Sequence, residues 1–234
     1  MAIRHRWDIT PKEAVALQRE LAGKVRTEPL KGPVRTVAGA DCAFLGERHG
    51  RRQAPRGQII AAAVLCDAES LQIVATAHVV RPCEFPYVPG LLSFREAPAV
   101  LEAIERLPER PDVLMCDGQG YAHPRRFGLA SHVGVWLDIP TIGVAKSRLC
   151  GEPVAPGVAR GRRVALRHRG ETIGTVLRTR AHVKPLYISV GHQVTLEDAV
   201  RWALRCAVRF RLPEPTRLAD RLVAQLKKPL CGPP

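Results

Sequence analysis

Two acidic residues stand in apolar surroundings, where an ionised carboxylate is costly. Asp41 lies within the apolar run Val37–Phe44, and Asp117 ends the run Val113–Cys116 just before two glycines. A buried carboxylate is unfavourable unless it is paired or binds a cation. Each acid alone fits a capped turn or a buried salt bridge as well as it fits a ligand role, but two of them on two predicted strands favour a shared site.

Glu96 is a third candidate acid, in the first turns of a predicted helix. Ser93 and Glu96 match the S-x-x-E pattern of a capping box, which by itself favours a structural role. The preceding segment changes this balance because it holds Tyr87 between two prolines. An exposed aromatic side chain held there is unfavourable unless it contacts a partner.

Carboxylates from separate elements together make the oxygen-rich site that Mg²⁺ prefers. In such a site the metal lowers the pKa of a bound water to create the nucleophile, and it stabilises charge on the leaving oxygen. Lys146 follows a predicted strand and would add a cation beside the developing charge. Its position fits an ordinary surface lysine equally well.

The composition favours a polyanionic partner. The chain has 234 residues and a formal net charge of +14. A positive field of this size extends into solvent and attracts nucleic acid, although GC-rich coding DNA also enriches arginine. Residues 46–57 form an expected mobile basic loop whose arginines are available to phosphates: Arg48, Arg51, Arg52 and Arg56.

The seven cysteines occur singly and suggest neither a disulfide framework nor a zinc site. The first residues have no apolar leader, and no stretch approaches the roughly 18 apolar residues of a membrane span. We therefore expect a cytoplasmic protein without membrane contact, and nothing in the sequence demands more than a monomer.

Hydrophobic periodicity and chain breakers predict one mixed α/β domain over residues 1–226 and a Pro/Gly-rich tail over 227–234. Helices are expected at 11–25, 93–107, 126–137, 196–208 and 213–226. Strands are expected at 35–44, 58–66, 71–80, 112–117, 141–145, 163–168, 172–178 and 186–190. The first three strands should form an antiparallel meander.

Four segments read together resemble the endonuclease V family: 86–96 (PYVPGLLSFRE), 117–132 (DGQGYAHPRRFGLASH), 142–146 (IGVAK) and 187–192 (YISVGH). The resemblance extends from Val37 to Asp198. It implies a ribonuclease H-like fold, which is a mixed five-stranded sheet with an initial antiparallel meander, flanked by helices.

The family cuts the second phosphodiester bond on the 3′ side of deoxyinosine, with Mg²⁺ or Mn²⁺, and some members act mainly on inosine in RNA. The resemblance thus implies a DNA repair endonuclease that leaves a 3′-OH and a 5′-phosphate. Its partners would be DNA with deaminated bases and single-stranded RNA.

Matching motif positions imply roles for individual residues. Asp41 and Asp117 would bind the metal and Glu96 would be the third acid, while Lys146 and His192 would lie by the reacting phosphate, the metals or the backbone. Tyr87 would be a wedge that enters the duplex beside the lesion. An extruded base would contact the loops that contain Pro86, Gly90, Leu91, Leu92, Gly118, Gly120, Tyr121, Ala122 and His123.

Two departures from the family pattern stand out. Gln119 occupies the position where bacterial members usually have histidine, so a side chain near the metal site is neutral here. The basic loop over 46–57 also looks longer than usual. His132, on a predicted helix, is expected to pack or to face solvent.

Three other functions fit the sequence less well. A junction resolvase would share the carboxylates but not the Tyr87 loop. A silent inosine-binding protein would be expected to have lost an acid. A dinucleotide-binding oxidoreductase would need a longer glycine fingerprint than Gly118–Gly120 offers, and Pro124 interrupts it.

Overall fold

The computed structural model describes residues 3–45, 57–152 and 154–230. Within these residues the helices are α1 (Pro11–Ala22), α2 (Leu92–Glu105), α3 (Leu129–Leu137), α4 (Leu196–Cys206) and α5 (Glu214–Leu230). The strands are β1 (Thr36–Leu45), β2 (Gly57–Asp67), β3 (Ile73–Cys83), β4 (Val113–Cys116), β5 (Thr141–Ala145), β6 (Arg163–His168), β7 (Glu171–Leu177) and β8 (Leu186–His192).

These strands form one sheet in the order β3-β2-β1-β4-β5-β8-β7-β6. Strands β1 to β3 are an antiparallel meander, and β1, β4 and β5 are parallel neighbours. The mixed, ribonuclease H-like α/β fold with an initial meander is confirmed. The expected five strands are too few, because β8 pairs with β5 and carries the β6–β7 hairpin into the same sheet.

The helices cover the sheet on two faces. Ala38 and Ala40 of β1 pack with residues of α2 and α3, whereas Val37 packs with residues of α4 and α5. Side chains on a strand alternate between faces, so Asp41 points to the α5 side and Cys42 to the α2 side. Strand β4 shows the same alternation. Leu114 and Cys116 pack with residues of α2 and α3, while Val113 and Met115 pack with residues of α4 and α5.

One edge of the sheet collects the candidate residues. Strands β1, β4 and β5 are parallel, so their carboxyl ends lie together, and β3 runs in the same direction as β1. We call this the carboxyl edge. Asp117 follows β4 there and Lys146 follows β5, as polar residues do at the mouths of α/β sites.

The ends of several helices differ from the prediction. Thr10 caps α1 through a capping box with Glu13, and Pro11 opens the helix as expected. Ser93 is not a cap: α2 follows Leu91, and no side chain caps it. Helix α3 starts at Leu129 rather than at 126, because Arg126 has a φ of 59° that interrupts helical backbone.

Helix α5 continues to Leu230, so residues 227–230, predicted to belong to the tail, are helical. Residues 231–234 lie outside the described residues, as do 46–56 of the predicted basic loop. In the described part of the chain, no helix combines the length and the apolar character needed to cross a bilayer.

His132 packs in the interior, which confirms one of its two expected roles. It is fully buried, and its Nδ1 lies 3.1 Å from Ser93 Oγ. Its Nε2 lies 2.7 Å from His5 Nε2, and the ring stacks on Trp7 at a centroid distance of 4.9 Å. The residues before α1 are therefore attached to α3 by aromatic packing.

Candidate active site

Three carboxylates meet at the carboxyl edge. Asp41, Asp117 and Asp220 each offer an oxygen, and these oxygens all lie within 4.8 Å of one another. Asp41 of β1 and Asp117, which follows β4, therefore lie together as the sequence predicted. Asp220, from α5, was missed because it lies on an amphipathic helix among ordinary polar residues, where an acid is usually a solvated surface group.

A glycine in β1 allows α5 to bring Asp220 this close. A Cβ at Gly39 would lie 2.1 Å from the carbonyl carbon of Pro215 and 2.4 Å from the amide nitrogen of Thr216. No larger residue fits between strand and helix there. The run Ala38-Gly39-Ala40 was the one available sequence signal that a helix lies directly on β1.

Lys146 lies among these acids. Its Nζ is 2.5 Å from Asp117 Oδ2 and 3.0 Å from Asp220 Oδ1. Burial favours the neutral amine, but the contacts with Asp117 and Asp220 outweigh it and raise the pKa of Lys146 above its usual range. The lysine is thus a fixed positive charge in the cluster rather than a free surface side chain.

The acids are poorly solvated and repel one another. Burial, followed by the charge of Asp117, raises the pKa of Asp41 to about 7. Burial also raises the pKa of Asp117, although Lys146 opposes this. Carboxylates crowded in this way gain most from a divalent cation, and an all-oxygen donor set suits Mg²⁺ or Mn²⁺. The residues present therefore fit the expected metal.

Glu96 lies on the other side of β1. It is 8% exposed, and its carboxyl group is hydrogen-bonded to the thiol of Cys42. Burial raises the pKa of Glu96 to about 8, and the charges of Asp41 and Asp117 add to this effect. Glu96 is thus a fourth acid of the site, approaching from α2, while the tight group of three consists of the aspartates.

Tyr87 lies in the segment between β3 and α2 and is 68% exposed. The guanidinium carbon of Arg95 lies 5.8 Å from the centre of its ring and 4.4 Å from that of Phe44. Pro86 of this segment and Leu92, the first residue of α2, are also exposed. An unburied aromatic ring thus projects from the same layer that carries Glu96.

The two predicted pocket loops are joined through Gly90. Its carbonyl oxygen accepts hydrogen bonds from Gln18 at 3.2 Å and from Arg125 at 2.7 Å, and lies 3.1 Å from His123 Nε2. Burial lowers the pKa of His123 to about 4, so the ring is neutral. Since Nδ1 accepts from the Arg125 amide, Nε2 carries the proton and donates to Gly90.

Several residues of the loops expected to contact the base are buried. Leu91 and Ala122 are each 1% exposed. A Cβ at Gly120 would lie 2.1 Å from the carbonyl oxygen of Val190, so this glycine packs directly on β8. These three residues support the loops but offer a base little surface.

Two further pocket candidates are only half-buried. A Cβ at Gly118 would lie 3.3 Å from Leu129 Cδ2, and the Tyr121 hydroxyl donates to Glu171 at 2.6 Å. Arg126 also donates to Glu171, at 2.7 Å, which ties this loop to the β6–β7 hairpin. Tyr121 is therefore held by a partner on the hairpin.

His192 does not join the acids. It pairs with Thr141 at the start of β5, whereas Lys146 lies five residues further along the chain, so about 16 Å of extended chain separates the two positions. Its Nε2 lies 3.5 Å from Asp138, and its Nδ1 accepts from the Arg26 amide at 3.2 Å. The structure therefore corrects its expected catalytic role to a structural one at the opposite edge.

Gln119 connects two loops of the carboxyl edge. Its Nε2 donates to the carbonyl oxygen of Ser147 at 2.9 Å, next to Lys146. Its buried Oε1 has no hydrogen-bond partner among the described residues. A neutral amide thus lies behind the lysine.

Comparison with known proteins identifies the family. The sequence profile of endonuclease V matches residues 19–221. Endonuclease V of Geotalea uraniireducens (strain Rf4) is 51% identical over 219 residues, which cover 94% of this chain and 89% of that protein. The crystal structure of endonuclease V from Streptomyces avermitilis superposes with a TM-score of 0.88 at 43% identity and covers 99% of both chains.

A more distant structure has the same fold. Endonuclease V of Ciona intestinalis, crystallised with a 24-mer DNA that contains an inosine followed by a ribo-adenosine, superposes with a TM-score of 0.77. It is 24% identical and covers 94% of this chain and 98% of that one. On the family profile and the close relative, this chain belongs to the endonuclease V family of nucleases.

Proposed function

We propose that this chain is a metal-dependent repair nuclease that hydrolyses the second phosphodiester bond 3′ of deoxyinosine, leaving a 3′-OH and a 5′-phosphate. The observation that carries the proposal is the cluster of Asp41, Asp117 and Asp220 with Lys146 beside it. Family membership supplies the reaction class, and the inosine-containing DNA bound by the Ciona protein supports the target.

The three aspartates would hold the metal, with Glu96 at the edge of the site. A bound Mg²⁺ or Mn²⁺ supplies a water of lowered pKa and stabilises charge on the leaving oxygen. Lys146 would place a second positive charge beside the phosphate, and its ammonium group opposes the rise in the pKa of Asp117 that burial causes. Cys42 orients the Glu96 carboxyl group from β1.

Recognition would come from the α2 side of the carboxyl edge. The exposed Tyr87 fills the space left when a base leaves the stack, and Arg95 beneath it supports the ring. A mispaired base is extruded more easily than a paired one, so part of the selectivity arises in the DNA itself.

The experiment uses matched oligonucleotides that carry one deoxyinosine or one adenine at the same position. The protein is incubated with Mg²⁺, with Mn²⁺ or with chelator, and the nick is mapped on a sequencing gel. We expect one nick, only with deoxyinosine and only with metal. Cutting that ignores deoxyinosine, or that persists in chelator, contradicts the proposal.

Two further measurements test whether RNA is also a substrate and whether Tyr87 recognises the lesion. A single-stranded RNA of the same sequence with one inosine measures how far RNA is also cut. Tyr87→Ala should weaken cutting of the deoxyinosine duplex while leaving the affinity for undamaged DNA unchanged. An equal loss of both would exclude the wedge role.

A further inference from the structure

A second exposed aromatic side chain lies near the carboxylates, in the segment between α4 and α5. We call residues 207–213 the α4–α5 loop. Phe210 in this loop is 40% exposed. The guanidinium carbon of Arg217 lies 4.5 Å from the centre of its ring, and that of Arg209 lies 6.0 Å away.

Two independent connections place Phe210 beside the catalytic cluster. Its neighbour Arg211 donates to the carbonyl oxygen of Lys146 at 2.8 Å and to that of Pro185 at 2.9 Å. Arg217, over the ring, precedes Asp220 by three positions on α5, so the two lie on one helix face about 4.5 Å apart along the axis. The loop is therefore fixed next to the lysine that contacts the acids.

Phe210 and Tyr87 lie on opposite sides of the sheet. Tyr87 belongs to the layer of α2, with Arg95 and Glu96, whereas Phe210 belongs to the layer of α4 and α5, with Arg217 and Asp220. The acids of the carboxyl edge reach both layers, because Asp220 lies on α5 while Glu96 lies on α2. A strand that contacted both aromatic residues would therefore pass these acids.

The chemistry of this surface suits a nucleobase and a phosphate backbone. An exposed aromatic ring offers a face on which a base of any sequence can stack, and arginines beside it contact phosphates. Glu214 pairs with Arg217 at 2.8 Å and holds the guanidinium over the ring, while Arg209 is exposed to solvent. The ring is therefore held in place before any ligand arrives.

We propose that Phe210 is a stacking platform for the nucleic acid on the 3′ side of the cut bond. This inference rests on the proposed function, which places the lesion at Tyr87 and the reacting phosphate at the aspartates. The 3′ part of the strand then leaves the site over the α4–α5 loop. Phe210 thus contacts the substrate beyond the cut, where Tyr87 cannot reach.

The test combines Phe210 variants with substrate truncation. Two deoxyinosine oligonucleotides share the same 5′ half, and one ends a single nucleotide past the cut while the other continues with a long 3′ arm. Phe210→Ala should lower kcat/KM on the long substrate by about fivefold or more, since the stacking of one base on the ring is lost. On the truncated substrate it should match the wild type.

Three variants separate stacking from folding. Phe210→Tyr keeps a ring and should behave as wild type, whereas Phe210→Leu keeps apolar bulk without a ring and should behave as Phe210→Ala. Val208→Ala is the matched control, because this apolar residue of the same loop is 71% exposed. Equal losses on long and truncated substrates, or no loss on the long one, would overturn the platform.

A binding measurement keeps this test separate from the proposed function. If the wild type cut neither substrate with Mg²⁺, the proposed activity would fail. The platform is then judged by fluorescence anisotropy with an undamaged single-stranded oligonucleotide. Phe210→Ala should bind this probe about fivefold or more weakly than Val208→Ala does, and equal affinities reject the platform.

Discussion

Lys146 joins two acids from different elements, because its Nζ lies 2.5 Å from Asp117 Oδ2 and 3.0 Å from Asp220 Oδ1. Asp117 follows β4, Lys146 follows β5, and Asp220 comes from α5. One ammonium group thus connects the sheet to the helix that covers it. A cation bound by these aspartates must share their oxygens with this lysine.

Replacing Lys146 by methionine removes this charge and keeps most of the side-chain length. We expect the rate of deoxyinosine-directed cutting to fall by about 100-fold or more, since a positive group beside the reacting phosphate is lost. The Mg²⁺ concentration for half-maximal rate should decrease, because the lysine no longer competes for Asp117 and Asp220. Metal titrations of the single-turnover rate measure both effects, with Lys12→Met as the exposed control on α1.

Asp220→Asn tests the acid that the sequence did not indicate. The variant should fold normally, since the side chain is 48% exposed, and should retain substrate affinity. Its cutting rate should fall by about 100-fold or more, because one oxygen of the metal site loses its charge. Glu109→Gln, at an exposed position away from the carboxyl edge, is the control, and a rate within twofold of wild type would remove Asp220 from the site.

Asp41→Asn should stabilise the metal-free protein in a pH-dependent way. The pKa of Asp41 rises from an ordinary value of 3.8 to about 7 on folding, mainly through burial. Between these values the folded chain binds a proton that the unfolded chain has lost, so rising pH favours unfolding. Asparagine does not titrate, so the stability of Asp41→Asn relative to wild type should increase as the pH rises from 3.8 to about 7.

Thermal unfolding in chelator, at about pH 5 and about pH 8, measures this difference. The unfolding temperature of Asp41→Asn should exceed that of wild type by more at the higher pH. Added Mg²⁺ should reduce this difference in unfolding temperature. Asp8→Asn, whose side chain is 96% exposed, serves for comparison. A difference that shrinks with rising pH would contradict the assigned burial of Asp41.

Gly120→Ala tests the close contact between the loop after β4 and strand β8. The added Cβ would lie 2.1 Å from the Val190 carbonyl oxygen, so backbone must move. We expect the free energy of unfolding to fall by about 1–3 kcal/mol or more. Urea denaturation measures it, and Gly157→Ala, whose nearest neighbour would be 3.5 Å away, should be nearly neutral.

The sequence predicted those parts of the site that depend on local context. Asp41 and Asp117 were recognisable because acids in apolar strands are rare, and Tyr87 because prolines surround it. The eight strands were found at nearly their observed positions, since alternation and breakers mark them. The motif positions of Asp117 and Lys146 correspond to residues that lie together at the carboxyl edge.

The remainder depended on packing between distant segments. Asp220 belongs to the site because Gly39 admits α5, a contact between residues far apart in the chain. His192 was misplaced because a motif shows that a residue is present but not which end of an antiparallel strand it occupies. Ser93 resembled a helix cap, yet it contacts His132 from another helix.

The division of the site between two helical layers bears on how its specificity can be redesigned. Tyr87 and Arg95 belong to the α2 layer, whereas Asp220 and Phe210 belong to the α5 layer, and the sheet separates them. With the roles proposed above for Tyr87 and Phe210, a randomised library confined to residues 84–89 would change recognition of the damaged base while the hydrolytic groups stay in place. Selection for altered length or strandedness of the target would instead sample the α4–α5 loop.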